Sequence, residues 1–246
     1  MTLDGVADAI FNDPRLAAVY DSLDPDRSDL DVYADLAGEL GARSVVDIGC
    51  GTGELACLLA RRGLDVIGVD PAEAMLAVAR HKNGADRVSW IHATATDLPT
   101  SQTDLVTMTG NVAQVFLDDD EWVETLVAAH RTLRPLGSLV FETRRPERQA
   151  WLEWNRERSH QRVHIDGAGA VETWNELVAV DLPFVTFRGT IIFHSDDSVL
   201  VSESTLRFRS RQEVIDSLAT TGFDVTEVRD APDRPGKEYV FVATRR

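Results

Sequence analysis

The sequence predicts an α/β protein built on a doubly wound, mostly parallel sheet. Along residues 44–143, short apolar runs alternate with helical patterns at the spacing of βα units. The first apolar run ends in a glycine-rich turn at residues 49–53, from which a helical pattern begins, and the second ends at the carboxylate of Asp70. Ligands of open parallel sheets bind beyond the carboxyl ends of the strands, so these two strand ends predict a binding site.

The elements of this sheet follow one another in the order expected for βα units. A helix over residues 30–40 comes first, with Ser28 placed to cap it and Gly41 at its end. The predicted strands span 44–48, 65–69, 88–93, 104–108 and 138–143, and the predicted helices between them span 54–62, 72–82 and 118–133. The run 133–137 contains a proline and a glycine, which end the last helix before the fifth strand.

After the fifth strand the alternation gives way to consecutive β-type runs. A short helix over residues 146–158 carries Trp151 and Trp154. Short turns and β-branched composition then favour an antiparallel β insertion over further βα units. Its three runs span 170–180, 185–194 and 199–208, and a helix at 211–221 and two strands at 223–229 and 238–244 follow them.

We expect residues 1–246 to form one domain, because a chain of 246 residues is large enough for one well-filled core. Residues 1–43 are predicted to form a helical lid on this domain. Residues 146–210 are predicted to form a wall of the substrate site, with Trp151 and Trp154 as candidate wall residues.

The charge and the cysteine content limit the function classes. A net charge of −16 repels polyanions at long range, which disfavours nucleic acid as a partner and favours a small molecule. Two cysteines, Cys50 and Cys57, argue against a disulfide framework and a thiolate metal site. No apolar run approaches the roughly 20 residues that cross a bilayer, and the N-terminus lacks a signal-peptide pattern. We therefore expect a cytoplasmic protein with no membrane partner.

The turn at residues 49–53 and Asp70 together describe a pocket for a nucleoside. Glycines let the backbone approach a ligand closely, and a helix that begins at Glu54 directs free N–H groups at it. An acidic residue at the end of the next strand is placed to bind both hydroxyls of a ribose. A dinucleotide fingerprint would need a third glycine where this chain has Glu54, whose carboxylate would repel a pyrophosphate.

The pattern D-x-G-x-G-x-G at residues 47–53 closely resembles motif I of class I S-adenosylmethionine-dependent methyltransferases, and the resemblance covers residues 20–145. It implies a Rossmann-like sheet of seven strands with the last strand antiparallel. It also implies S-adenosylmethionine as cofactor and S-adenosylhomocysteine as product, a ligand with cationic groups but no phosphate. Asp47 would then hold the methionine end and Asp70 the ribose. The turn residues placed against the cofactor are Gly49, Cys50, Gly51 and Gly53.

The same resemblance implies contacts to the adenine and from the lid. In this family an aspartate after the third strand commonly accepts the adenine amino group, and here Thr94 takes its place, ahead of Asp97. The backbone N–H of Ala95 would donate to the ring. The remaining residues assigned to this end of the cofactor are Pro71, beside Asp70, Met75 on the adenine face, and Tyr20 in the lid. Arg27 is a candidate for the methionine carboxylate.

The residues after the fourth strand are placed at the methionine portion and the reacting methyl group. Thr109 and Gly110 would offer backbone contacts, and Asn111 would face the methyl group. His194, at the end of an insertion strand, is a candidate base if it faces the pocket. His160 and His164 have the spacing of two helical metal ligands, but their neighbours favour a strand, so no metal site is predicted.

We therefore interpret the chain as an enzyme that transfers a methyl group from S-adenosylmethionine to a small-molecule acceptor by in-line displacement. The main contribution of the enzyme to such a reaction is to align the acceptor with the methyl group, which lowers the activation barrier. No residue pattern marks a general base, which slightly favours a nitrogen acceptor. Two alternatives are a non-catalytic S-adenosylmethionine-binding regulatory protein and, less favoured, an NAD(P)-dependent oxidoreductase. The acceptor, the methylated atom and the oligomeric state stay open.

Overall fold

The computed structural model describes residues 8–98 and 100–246, so residues 1–7 of the predicted lid and Pro99 lie outside the described residues. Within these ranges the helices are α1 (Ala9–Asn12), α2 (Pro14–Leu23), α3 (Asp29–Glu39), α4 (Glu54–Arg61), α5 (Glu73–Ala79), α6 (Asp119–Thr132), α7 (Arg156–Ser159) and α8 (Arg211–Thr220). The strands are β1 (Ser44–Ile48), β2 (Asp65–Asp70), β3 (Val88–His92), β4 (Thr103–Met108), β5 (Leu133–Arg144), β6 (Gln161–Ile165), β7 (Gly169–Asp181), β8 (Phe184–Phe193), β9 (Ser198–Arg207), β10 (Phe223–Asp230) and β11 (Glu238–Arg245).

The larger sheet of the described chain has seven strands in the order β10-β11-β5-β4-β1-β2-β3. Strands β1 to β5 run parallel, and β11 runs antiparallel to both of its neighbours, β5 and β10. This topology confirms the predicted Rossmann-like, doubly wound α/β fold with an antiparallel last strand. The strand order reverses at β1, so the carboxyl ends of β1, β2 and β4 meet at one edge, where such sheets bind ligands.

Helices cover both faces of this sheet and hold its strand ends in place. On one face Trp122 of α6 packs edge-on against Phe141, whose ring stacks on Phe241 with centroids 5.3 Å apart. On the other face Leu36 of α3 and Leu59 of α4 are buried against β1 and β2. Burial of each such side chain contributes about 1.5–3 kcal/mol to the free energy of folding. The helices therefore stabilise the strands whose ends carry the predicted site.

The fifth strand begins earlier than predicted. The prediction was 138–143, but Leu133 already pairs with β4, and the register then shifts between Leu133 and Ser138. Leu136 has a φ of +63°, and a Cβ on Gly137 would lie 2.9 Å from a backbone oxygen. Pro135, which has no N–H to donate, is tolerated at such an irregularity. The break in the sequence pattern is therefore a bulge within β5, not a loop before it.

The β insertion forms a separate antiparallel sheet in the order β6-β7-β8-β9. The three predicted runs correspond to β7, β8 and β9, whereas β6 was not predicted as a strand of this sheet. The predicted helix over 146–158 is broken, because Gln149 has a φ of +47° between two short 3₁₀ turns that precede α7. The long neighbour β7 supplies the pairing partners that make the five-residue β6 a strand.

No helix in the described ranges is both long enough and apolar enough to cross a bilayer.

Candidate functional site

The glycine-rich turn after β1 is built by backbone geometry and close packing. The N–H groups of Gly49 and Cys50 donate to the carbonyl of Val69, 2.8 and 3.1 Å away, which ties the turn to the end of β2. Gly49 and Gly51 both have positive φ values, which glycine adopts at little cost. A Cβ on Gly49 would meet a Val112 methyl at 2.6 Å, whereas one on Gly51 would meet nothing within 4 Å. Gly51 therefore presents bare backbone to open space.

That open space is a cavity of about 290 Å³ at the carboxyl ends of β1, β2 and β4. Twelve of the thirteen residues predicted to bind the cofactor line it. They are Tyr20, Asp47, Gly49, Cys50, Gly51, Asp70, Pro71, Met75, Thr94, Ala95, Thr109 and Gly110. Gly53 does not line the cavity, because its missing side chain makes room for the Trp90 ring, which would overlap a Cβ at this position. Packing against Trp90 thus requires a glycine at position 53.

Asp47 places a buried carboxyl group at the floor of this first cavity. Its side chain is 1% exposed, and its Oδ1 accepts a hydrogen bond from Thr107 Oγ1 at 2.7 Å. Desolvation raises the pKa of Asp47 to about 7, the Thr107 hydroxyl opposes the rise, and the charge of Asp70 adds to it. A cation in the cavity would stabilise the ionised carboxylate, so the site is prepared for positive charge.

Asp70 holds the turn and still faces the cavity. Its Oδ2 accepts from Gly51 N at 2.8 Å, and its Oδ1 accepts from Ala72 N at 2.8 Å. Burial raises the pKa of Asp70 although both backbone hydrogen bonds act against the rise. A carboxylate has about four lone-pair sites, so each oxygen keeps capacity for one further donor.

Thr94 lies at the far end of the cavity, where β3 ends. Its hydroxyl donates to Asp97 Oδ2 at 2.7 Å and lies 2.8 Å from Thr96 Oγ1. Because its proton is engaged by Asp97, the Thr94 oxygen can act only as an acceptor toward another group. Asp97 itself does not line the cavity, whereas Thr96 does.

Helix α2 is fastened to the turn after β1 by a small polar cluster. Asp13 caps α2 by accepting from Arg15 N at 2.7 Å, and Pro14 begins the helix. At the other end of α2, Asp21 accepts from Thr52 Oγ1 at 2.6 Å and pairs with Lys82 Nζ at 2.6 Å. This clamp holds Tyr20 and the rest of α2 over the cavity.

Asn111 lines a second cavity and follows Gly110, which lines both cavities. Its φ of +61° is left-handed, and its backbone N–H donates to Glu142 Oε1 at 2.6 Å. Its side-chain amide donates to Glu238 Oε1 at 3.2 Å. Both hydrogen bonds end on buried carboxyl groups, those of Glu142 and Glu238, and they fix the turn after β4. Burial raises the pKa of Glu142 to about 7.

The second cavity, of about 390 Å³, lies between helices α1 and α2, the turn after β4 and the four-stranded sheet. It shares lining residues with the first cavity, so the two are adjacent compartments of one site. The shared residues are Phe11, Tyr20, Arg27 and Gly110. Asn111 lines the second compartment. Phe11 and Thr96 also line the site, although no sequence motif marks them. Only the packing of α1 and the turn after β3 brings them there.

Other candidates lie elsewhere. His194 lines neither compartment, and its Nε2 lies 3.1 Å from Glu172. Trp151 and Trp154 also line neither compartment, because both pack against Phe208 in a separate apolar cluster. In the described part of the chain, no three His, Cys, Asp or Glu side chains are grouped to hold a metal ion.

Known proteins resemble the central part of this chain in sequence and most of the chain in fold. Residues 45–137 match the family model described as a methyltransferase domain. A Geobacillus sp. protein named as a methyltransferase is 37% identical over 108 residues, 43% of this chain and 44% of that protein. The chain thus spans less than half the length of the curated relatives it matches.

Two solved structures agree over almost the whole chain. The CcbJ methyltransferase from Streptomyces caelestis has a TM-score of 0.75 at 21% identity, over 94% of this chain and 96% of that one. The sugar N-methyltransferase KedS8 from Streptoalloteichus sp. has a TM-score of 0.73 at 21% identity, over 89% and 87% of the two chains. At these identities the likeness shows the fold, and the match of residues 45–137 to a methyltransferase domain agrees with the predicted resemblance over that segment.

Proposed function

We propose that this protein, with its class I methyltransferase domain, transfers the methyl group of S-adenosylmethionine to a small-molecule acceptor and releases S-adenosylhomocysteine. The observation that carries the proposal is a pair of adjoining compartments, one of which has buried carboxyl groups at Asp47 and Asp70. The first compartment would hold the methyl donor and the second the acceptor. Residues 1–43 and 146–210 would serve as lid and acceptor wall.

The first compartment fits a nucleoside with positive charge and no phosphate. Asp47 would face the cationic methionine end, and the free lone pairs of Asp70 would accept from the ribose hydroxyls. The bare backbone at Gly51 leaves room for the ligand. The other expected contacts are backbone groups of Thr109 and Gly110 at the methionine portion, Thr94 and Ala95 at the adenine edge, and Met75 at its face.

When bound, the donor supplies a methyl group that its sulfonium already activates. The protein's contribution is to place the acceptor in line with that group, which lowers the barrier by about 7–11 kcal/mol in well-oriented systems. The described lining of the second compartment contains no histidine. An amine that enters uncharged attacks with its own lone pair and loses its proton to water afterwards, so a nitrogen acceptor is favoured. The name of KedS8, a sugar N-methyltransferase, points the same way.

Isothermal titration of the purified protein with S-adenosylmethionine, S-adenosylhomocysteine and NADH tests the first half of the proposal. We expect both adenosyl ligands to bind and NADH not to bind. Binding of NADH alone would favour the oxidoreductase alternative. Detection of S-adenosylhomocysteine release across a broad acceptor library tests the second half, and binding without turnover on every acceptor would favour a regulatory protein. The cytoplasmic location stays a prediction.

A further inference from the structure

The inner face of the four-stranded sheet, which is the face turned toward α2, is apolar where α2 covers it. Leu16 and Val19 of α2 are buried there against Val171, Ile191 and Phe193. These contacts exclude water and hold the lid on the sheet. The covered part of the face therefore has the composition of an ordinary core.

Beyond α2 the same face carries neutral hydroxyl and amide groups that line the second compartment. This polar floor consists of Gln161, Thr173, Asn175, Ser202 and Ser204. Gln161 pairs with Thr173, and Asn175 lies two residues further along the same face of β7. Since neighbouring strands lie about 4.8 Å apart, the floor extends roughly 14 Å from β6 to β9. The face is thus apolar under α2, and where it lines the second compartment it carries these polar groups beside Phe187 and Ile191.

Several groups of this polar floor have hydrogen-bonding capacity that the protein does not use. Ser204 is 5% exposed, and its hydroxyl has no hydrogen-bond partner within the described ranges. Ser202 Oγ accepts from Ile10 N at 2.9 Å, which leaves its proton free to donate. The side chains of Thr173 and Asn175 also make no hydrogen bond to other described residues. These groups line the cavity, where they can both donate to a ligand and accept from it.

A glycine in the middle of the floor keeps this compartment deep. Gly189 lies opposite Asn175 on one side and Ser202 on the other. A Cβ there would meet only Asn175 Oδ1 at 3.3 Å and Ser202 O at 3.9 Å, and the φ of Gly189 is not in the left-handed region. The backbone therefore does not require glycine at this position. The missing side chain leaves space above the floor.

We propose that the polar floor binds a polyhydroxylated acceptor, a compact molecule of the sugar or cyclitol type. Hydroxyl groups donate and accept at once, as do the neutral side chains of the floor. An apolar aromatic or lipid acceptor would leave these groups without partners, which is unfavourable. The inference rests on the proposed function, since it assigns a substrate class to the second compartment.

The test uses full-length protein saturated with S-adenosylhomocysteine and a panel of pentoses, hexoses, inositols and amino sugars. Saturation-transfer NMR measures binding of each, and D-glucosamine is paired with cyclohexylamine, which has the ring and the amine but no hydroxyls. We expect polyols to bind and cyclohexylamine not to bind. The double variant Thr173→Val/Ser204→Ala should weaken binding of the polyols by about four- to a hundredfold, since each hydrogen bond contributes about a two- to tenfold factor. Gly189→Val should abolish binding by filling the space.

The matched control is Thr186→Val/Thr205→Val on the outer face of the same sheet, where the two hydroxyls bond each other at 2.9 Å. Replacing both partners is nearly neutral, so this variant should bind polyols like the unchanged protein. The inference is overturned if no panel member binds, if cyclohexylamine binds as well as D-glucosamine, or if the floor variant matches the control. Failure to bind S-adenosylhomocysteine would instead overturn the proposed function, because that step is measured first by calorimetry.

Discussion

Replacement of Asp70 is the most direct test of the donor site. Its two oxygens each accept one backbone N–H, from Gly51 and Ala72 at 2.8 Å, and each keeps capacity for a ribose hydroxyl. Hydrogen bonds to a charged group contribute about 1.5–3 kcal/mol each, so two of them amount to about 3–6 kcal/mol. At 1.4 kcal/mol per tenfold, Asp70→Ala should weaken S-adenosylhomocysteine binding by roughly a hundredfold to ten-thousandfold.

The control must separate ligand binding from loss of a carboxylate that supports the backbone. Asp104 offers that match at the opposite end of the sheet, since it accepts from Arg43 N at 2.9 Å and Ser44 N at 3.1 Å. The Arg134 guanidinium lowers the pKa of Asp104 to about 2. Asp104→Ala should therefore lower the melting temperature at least as much as Asp70→Ala, while its affinity for S-adenosylhomocysteine stays unchanged.

Isothermal titration calorimetry at 25 °C on both variants, with thermal unfolding in parallel, gives the two quantities. The assignment of the donor site is refuted if Asp70→Ala binds S-adenosylhomocysteine within threefold of the unchanged protein. It is also refuted if Asp104→Ala loses the same affinity, because the loss would then follow from general destabilisation.

Three further outcomes are expected. Because the pKa of Asp47 is raised to about 7, its contribution to the free energy of unfolding falls as pH rises from about 4 to 7. Its ionised form binds a cation better, so the affinity for S-adenosylmethionine should rise from pH 6 to 8 in titrations. Asp47→Asn should flatten that rise. Gly51→Ala should cost about 1–2 kcal/mol in denaturant unfolding, since its φ is +53°, and should also weaken S-adenosylhomocysteine binding; a variant of full stability and affinity would contradict the open backbone edge. Lys82→Met should remove one of the two partners of Asp21, so amide exchange in α2, measured by mass spectrometry, should become faster. Unchanged protection in β5 is the internal control.

The local part of the site could be predicted from the sequence because it depends on neighbours along the chain. The predicted bounds of β1, 44–48, agree with the structure, and the turn that follows lies where its glycines indicate. Asp47 and Asp70 follow from the same unit, since a strand, a turn, a helix and the next strand form one local βαβ motif.

What the tertiary structure alone decided depends on pairing and packing between distant segments. The five-residue β6 is a strand because β7 pairs with it, and Gly53 is needed because Trp90, on β3, fills the space beside it. The second compartment exists because α2 covers only part of the inner face of the insertion sheet. Side-chain periodicity along the chain records which residues are apolar, but not which distant element covers them. For that reason the first compartment, the proposed donor site, could be predicted from a motif, whereas the second, the proposed acceptor site, became visible only in the folded chain.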